Sequence, residues 1–125
     1  MNLSKLYLLI AALSGFTAVA LGAFGSHGLK ARLSEASLAV WQTAVQYQFY
    51  HTLALLAVAL LMHRGLSNSW LIASGGLLLV GLLLFCGSLY WLALSGPRWL
   101  GPITPLGGLA FMCAWLCIAI YAFKA

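Results

Sequence analysis

The side chains best suited to chemistry lie in one stretch of the sequence, Trp41–Thr52, which combines aromatic, amide and hydroxyl groups with a histidine. At about 100° per residue, Tyr47, Gln48 and His51 fall within one arc of a helix, with Thr43 just beside it. Imidazole and amide groups on one face can hold a polar ligand or take part in proton transfer. The pattern predicts a polar cluster on one face of an otherwise apolar helix.

His51 can be interpreted in two ways. It lies 11 residues before Met62, or about 16 Å along a helix, which places it near the middle of a membrane-spanning segment. An ionisable residue at that depth usually faces the bundle interior and has a partner. One interpretation is a neutral imidazole bonded to Tyr47, to Gln48 or to a Ser or Thr of another helix. The other is a proton or ligand contact within a polar pocket.

His27 lies in the short segment Gly25–Gly28, just past the expected end of the first apolar stretch. It is expected about 12 Å from His51 along the membrane normal, which argues against a haem or metal ion shared by the two histidines. Its imidazole can bond the free carbonyls at the helix end. Alternatively, it is a contact for a lipid headgroup.

A second interfacial site is suggested by the stiff turn Gly101–Gly108. Thr104 is expected as a helix N-cap, with Pro105 at the first helical position. The backbone N–H groups at the start of that helix can hold an anion, and Arg98 lies nearby. A lipid phosphate is the expected ligand.

The sequence contains few side chains that could catalyse a reaction. Glu35 is the only carboxylate among the side chains, so neither paired acids nor a Ser-His-Asp set can be assembled. The cysteines lie inside apolar blocks without metal-ligand spacing, and the six basic residues are scattered. We therefore expect a protein that is not an enzyme, with no metal, no cofactor and no nucleic-acid partner.

The elements that position these residues follow from composition. Of the 125 residues, 64% are hydrophobic and 6% are charged, whereas a soluble domain has about 25% charged residues. We predict an all-α fold, a single transmembrane domain whose four spans cover about residues 6–24, 43–62, 70–94 and 105–123. The third span is expected to stop at Ser95-Gly96-Pro97, where Gly96 suits a left-handed C-cap. The first stretch has features of a signal peptide, but we expect it to be retained as a span.

The second helix is predicted to begin outside the hydrocarbon. Ser34 is a plausible N-cap, with Glu35 in the first turn. A helix from Glu35 to Met62 would be about 42 Å long, which exceeds the hydrocarbon thickness. We therefore expect an interfacial extension at the start of helix 2.

Aromatic and basic residues bear on the register and the orientation. Two aromatic belts are expected, one formed by Tyr7, Trp70 and Tyr121 and the other by Trp41, Trp91 and Trp99. Three basic residues flank each side of the predicted spans, so their count does not decide the orientation. The amino terminus and His63 favour termini on the cytoplasmic side.

Small residues recur along three of the spans. Because lipid gives helices no hydrophobic reason to associate, such residues mark the faces where backbones approach closely. We therefore expect a tight bundle with little internal volume. The small-residue stripes are Ala11, Gly15, Ala18, Gly22 and Gly25; Ser74, Gly81 and Ser88; and Gly107, Gly108, Ala110 and Ala114.

Several of these segments resemble a known family. The blocks Ala20–Leu29, Tyr47-Gln48 with His51, Gly87–Tyr90 and Thr104–Gly108 are similar, in the same order, to the small membrane proteins of domain of unknown function 423 (DUF423, UPF0382), whose eukaryotic relatives are called transmembrane protein 256. The resemblance implies a four-span, multi-pass protein of the bacterial inner membrane without an established activity. It also implies that the motif positions matter, namely His27, Tyr47, Gln48, His51, Ser88, Tyr90 and Thr104.

Two hypotheses of function remain. The first is a module that binds a lipid or small molecule, or assembles a membrane complex, through the polar cluster around His51. The residues expected in this cluster are Thr43, Tyr47, Gln48, His51, Ser88 and Tyr90. Its expected partners are membrane lipid and either a second copy of the chain or another membrane subunit. The alternative is an oligomeric, proton-linked transporter or channel, since four spans do not easily enclose a pore.

Overall fold

Helices account for almost all of the regular structure. The computed structural model describes all residues, Met1–Ala125, and contains no β-strand. Four of its helical stretches are long and apolar enough to cross a membrane. The all-α, four-helix membrane bundle expected from the sequence is confirmed.

The spans contain two π-helical segments as well as α-helix. In chain order the elements are α1 (Leu3–Phe24) followed by a π segment (Gly25–Leu29), α2 (Glu35–His63), α3 (Ser69–Gly81), a second π segment (Leu82–Cys86), α4 (Gly87–Ala93), a 3₁₀ turn (Arg98–Leu100) and α5 (Ile103–Lys124). The third span is therefore α3, the second π segment and α4 together. Such π segments in helices frequently occur at functional sites.

The start of α2 agrees with the sequence. The Ser34 hydroxyl accepts a hydrogen bond from the Ser37 N–H at 3.1 Å, and Glu35 occupies the first turn. With 29 residues, α2 is about 43 Å long. Its length confirms that α2 exceeds the hydrocarbon thickness, as an interfacial extension requires.

Two helix ends differ from the expectation. The helix α5 begins at Ile103, and its N-cap position is Pro102 without a side-chain cap, so the prediction of Thr104 as N-cap was wrong. The Thr104 hydroxyl instead bonds the third span. At the end of α4, Ser95 and not Gly96 has a positive φ, of 68°. Gly96 has a different role, since a Cβ there would lie 2.6 Å from the Trp91 carbonyl oxygen.

The spans pack as two helical hairpins. The helix α1 packs mainly against α2, and α5 mainly against the third span, while α2 and the third span meet in the middle. The small residues lie in these contacts, as predicted. The closest contact of a glycine with the backbone of another helix is at Gly107, where a Cβ would overlap the backbone of Phe85 and Leu84.

The aromatic belts are only partly as expected. Trp91 and Trp99 are exposed and pack edge to face. Trp41 and Tyr7, however, are both 4% exposed. Trp41 donates its indole N–H to the Leu21 carbonyl, and Tyr7 donates its hydroxyl to the Ile72 carbonyl. These two rings therefore hold helices together and do not form part of a belt.

Two grooves are open to the outside of the bundle on either side of α1. One groove of about 640 Å³ lies between α1 and α2, and another of about 550 Å³ lies between α1 and the third span. They are surface grooves between spans and not internal cavities, so the expectation of little internal volume stays a prediction. The small residues of α1 face α2, so they bring those two helices together but leave larger side chains between α1 and the third span.

Candidate functional site

Gln48 is the centre of a hydrogen-bond network that joins three spans. Its side chain is 7% exposed. Its amide nitrogen donates to the Ser14 carbonyl and to the Thr17 hydroxyl, both at 2.9 Å. Its amide oxygen accepts the Tyr90 hydroxyl at 2.6 Å. The network thus ties α1 and α4 to the middle of α2.

The hydroxyls of α1 complete this network. Thr17 donates to the Ser14 carbonyl at 3.0 Å, and the Ser14 hydroxyl lies 2.6 Å from the Thr52 hydroxyl. The Tyr90 ring packs edge to face on Trp41, with ring centroids 4.8 Å apart. No buried side-chain nitrogen or oxygen lacks a hydrogen-bond partner. Each polar group is thus satisfied although water is scarce at this depth.

This network forms the polar floor of the groove between α1 and the third span, hereafter the lateral groove. Ser14, Thr17, Gln48 and Tyr90 line it, and most of its other walls are hydrophobic. Its volume of about 550 Å³ is within the usual range for ligand pockets. An apolar wall with a few convergent polar groups is typical of a binding site for a small molecule.

The second π segment shapes one wall of the lateral groove. Leu82, Leu83 and Cys86 of that segment line it, as does Gly87, the next residue. A Cβ at Gly87 would meet no atom within 4 Å. The glycine therefore leaves the groove open beside Tyr90.

His51 lies in a different environment. Its Nδ1 is 2.7 Å from the Tyr47 carbonyl oxygen, and the Trp115 indole N–H donates to its Nε2 at 3.1 Å. Because an indole can only donate, Nε2 must accept, and the proton must be on Nδ1. Both ring nitrogens are therefore occupied in the neutral imidazole.

Aromatic rings enclose the His51 side chain. The imidazole stacks on Phe111 with centroids 3.6 Å apart and on Tyr47 at 5.8 Å. It is 6% exposed and does not line either of the two large grooves. This arrangement favours the structural interpretation of His51. The bond to Tyr47 is one of those expected, although through its carbonyl.

The structure does not gather all the predicted cluster residues in one place. Gln48 and Tyr90 meet in the network, whereas His51 and Tyr47 lie in the aromatic enclosure toward α5. Thr43 is half-buried and donates to the Ala39 carbonyl of its own helix at 3.0 Å. The polar face of α2 is thus divided among three environments.

Ser88 and Thr104 were assigned to different sites from the sequence, but they contact each other. Their hydroxyl oxygens are 2.5 Å apart, and Ser88 also bonds the Phe85 carbonyl at 3.0 Å. This pair lies beside the close contact of Gly107 with the π segment. It therefore joins α5 to the third span.

The predicted interfacial residues His27 and Arg98 are exposed. His27 lies in the first π segment, so the helix continues past the expected end of span 1. Neither side chain makes a hydrogen bond within the protein. Both remain available to a lipid headgroup, which stays a prediction.

Three contributors were missed from the sequence. Ser14 and Thr17 are three residues apart in a span that is otherwise almost entirely apolar, and this helical spacing of hydroxyls was a signal that could have identified them. Trp115 was missed because an isolated tryptophan in an apolar span normally faces lipid. Its ring is in fact 47% exposed, and only the indole N–H reaches His51.

The remaining groups offer few other sites. No three His, Cys, Asp or Glu side chains come close enough together to hold a metal ion. The groove between α1 and α2 is larger than the lateral groove, but eight of its ten lining residues are hydrophobic and its polar group is Thr52. The lateral groove is the one in which an amide and a phenol converge.

Comparisons with known proteins agree with the architecture. Residues 21–108 match the family described as "Protein of unknown function (DUF423)". The chain is 42% identical over 120 residues to the UPF0382 membrane protein YwdK of Bacillus subtilis, covering 96% of this chain and 98% of that protein. It is 44% identical over 121 residues to a UPF0382 membrane protein of Staphylococcus haemolyticus, covering 96% and 97%.

One relative, from Escherichia coli, is named as an inner membrane protein. The UPF0382 inner membrane protein YgdD of Escherichia coli K12 is 42% identical over 121 residues, covering 97% of this chain and 92% of that protein. No solved structure matches the chain. Both the family match and the near full-length identities lead to one conclusion: the chain belongs to the DUF423 (UPF0382) family of membrane proteins.

Proposed function

We propose that this protein is a non-catalytic membrane module that binds one apolar chain, of a lipid or a lipid-like small molecule, in the lateral groove. The observation that carries the proposal is the convergence of Gln48 and Tyr90 at the floor of an apolar groove of about 550 Å³. The groove lies between two spans and opens sideways, where lipid reaches it without crossing an aqueous phase.

The position of the charges supports a binding role over a catalytic one. No charged side chain lines the lateral groove. Glu35 is exposed in the first turn of α2, more than ten residues from Gln48 along that helix. General acid–base chemistry in the groove would therefore have to proceed without a carboxylate or a free imidazole.

The proton-linked alternative has less support. A histidine that carries protons must exchange partners, whereas both nitrogens of His51 are bonded inside an aromatic enclosure. We therefore place binding at Gln48 and a structural role at His51. A His51-dependent proton flux into liposomes containing the pure protein would reverse this assignment.

Filling the groove tests the proposal directly. In Gly87→Leu, the new side chain would point into open space next to Tyr90, so the helix should keep its stability while the groove is occupied. We would label the purified protein with a diazirine-bearing hexadecyl lipid probe and map the labelled residues by mass spectrometry. The expected result is labelling of groove residues in the natural protein and its loss in Gly87→Leu.

The matched control is Ala57→Leu, which enlarges an exposed residue of α2 outside the lateral groove. It should leave the labelling of the groove unchanged. If groove residues are no more labelled than other lipid-facing residues, or if Gly87→Leu labels as the natural protein does, the proposal is wrong.

For orientation, we propose that both termini lie on the cytoplasmic side. The basic side chains are balanced, three on each side, so the support is the positive charge of the amino terminus, together with His63, on the side of the termini. A cysteine introduced at Ser67 should then resist a membrane-impermeant maleimide in intact cells, whereas one introduced at Arg98 should react. The reverse pattern would show the opposite orientation.

A further inference from the structure

The hydrogen-bond donors and acceptors that line the lateral groove determine which polar group a bound ligand can carry there. A carbonyl oxygen can only accept, so the Gln48 nitrogen must face the Ser14 carbonyl, and its amide oxygen must face Tyr90. The Tyr90 hydroxyl must therefore donate to Gln48. The direction of this bond is fixed by the backbone of α1.

The donors that line the groove are nearly all engaged inside the protein. Both hydrogens of the Gln48 amide go to α1, the Thr17 hydroxyl donates to the Ser14 carbonyl, and the Tyr90 hydroxyl donates to Gln48. Ser14 and Thr52 share one hydrogen bond, and the Cys86 thiol is a weak donor. In contrast, the Tyr90 oxygen accepts no hydrogen bond and has free lone pairs.

Reorienting the Tyr90 hydroxyl toward a ligand would be unfavourable. Gln48 is 7% exposed, and its amide oxygen would lose its hydrogen-bond partner. The Tyr90 ring is also held by its edge-to-face contact with Trp41. At Tyr90 the groove therefore offers a ligand a hydrogen-bond acceptor, and a ligand group that can only accept would face another acceptor there.

Gln48 lies 13 residues from Glu35 and 15 from His63, near the middle of α2. A ligand group that reaches Tyr90 is therefore inside the hydrocarbon region and not at the level of the headgroups. A charged group there would find no counter-ion, because no charged side chain lines the groove.

We infer that the lateral groove selects an uncharged long-chain alcohol, whose hydroxyl donates to the Tyr90 oxygen, over the matching ether or ester. This inference rests on the proposed function and adds a ligand class to it. The hydrocarbon chain packs on the leucines of α1 and the third span. The hydroxyl group donates to a lone pair that the Tyr90 oxygen leaves free.

The test uses a matched pair of probes with the full chain in nanodiscs. Diazirine-bearing hexadecanol and its methyl ether have the same chain, but only the alcohol can donate a hydrogen bond. We expect the alcohol to label the groove residues about five- to tenfold more than the ether, the ratio that one hydrogen bond supports.

Gln48→Leu should abolish this selectivity. It removes the acceptor of the Tyr90 hydroxyl, which is then free to donate to the ligand. We expect the alcohol-to-ether ratio to fall to about one or below, because an ether can accept from Tyr90 as well as an alcohol can. Gly87→Leu should abolish labelling by both probes.

The outcomes of the labelling experiment test the proposed function and the inference about the hydroxyl separately. Equal labelling of the groove by both probes, abolished by Gly87→Leu, would show that the groove binds chains and that the inference about the hydroxyl is wrong. Failure of both probes to label the groove would overturn the proposed function and the inference with it. A ratio unchanged in Gln48→Leu would also contradict the inference, since it assigns the selectivity to the Tyr90–Gln48 bond.

Discussion

The bundle can be divided into two halves that meet at α2, one containing α5 and the other containing α1. The surroundings of the buried polar groups differ between these halves. In the half that contains α5, His51 is enclosed by aromatic rings, and Gly107 allows the backbones of two helices to touch. In the half that contains α1, the Gln48 network is equally satisfied but borders an open groove. Both residues lie on α2, three positions apart, and their exposures of 6% and 7% are nearly equal.

The comparison teaches that burial and hydrogen bonding do not distinguish a structural polar residue from a candidate ligand contact. The difference lies in what surrounds each residue. Rings fill the space around His51, whereas the side chains between α1 and the third span leave space beside Gln48. We therefore expect changes in the α5 half to affect stability, and changes in the α1 half to affect binding.

The largest expected effect is that of Gly107→Ala. Its Cβ would overlap backbone atoms of Phe85 and Leu84, which cannot move away as a flexible side chain can. We expect a loss of about 3 kcal/mol in the free energy of unfolding, at the upper end for overpacking. The neighbouring Gly108→Ala is the control, since its Cβ would lie 3.7 Å from the Phe85 ring and should be tolerated. Thermal unfolding in detergent compares the two, and equal midpoints would contradict the close contact.

The next largest effect is expected for His51→Ala. It leaves the Trp115 N–H without its acceptor and removes a ring stacked on Phe111. We expect a loss of about 2 kcal/mol in stability, with binding in the lateral groove retained.

Trp115→Phe provides the graded control for His51, because it removes the N–H donor but keeps an aromatic ring at this half-exposed position, and it should cost about 1 kcal/mol. Both variants are measured by thermal unfolding and by the labelling experiment. If a folded His51→Ala protein lost the labelling of the lateral groove, the assignment of stability to the α5 half and of binding to the α1 half would be wrong.

Gln48→Leu should have a smaller effect on stability. The leucine keeps a similar volume, and hydrogen bonds between membrane helices contribute little on average, so we expect a loss of about 1 kcal/mol. The same variant should change ligand selectivity strongly, as argued above. A loss of stability greater than that of His51→Ala would show that the Gln48 network, too, is mainly structural.

The smallest effect is expected for Gly15→Ala in the α1 half. A Cβ there would lie 3.6 Å from the Thr52 methyl group, an ordinary contact, and alanine favours the helix. Stability should stay within about 0.5 kcal/mol of the natural protein. If thermal unfolding shows a loss as large as that of Gly107→Ala, α1 is packed as closely as α5 and the comparison fails.

Much of the fold could be predicted because it depends on local properties. Long apolar stretches define the four spans, Ser34 caps α2, and the small residues mark the faces in contact. In hydrocarbon, the backbone polar groups must bond one another, and a helical bundle satisfies them within each span. The π segments were not predicted, since i→i+5 bonding has no clear signature in a single sequence.

The candidate site could be predicted only in part. Helical periodicity placed Gln48 and His51 on one helix face. Although they are only three residues apart, Gln48 bonds Tyr90 of the third span and His51 bonds Trp115 of α5. Which neighbours they meet depends on how α1 and α5 pack on either side of α2. The sequence therefore determined that the chain lies in the hydrocarbon of a membrane, which segments span it and which polar residues those segments contain. Only the tertiary structure decided which polar residue faces a groove, because that space is left by side chains from different helices.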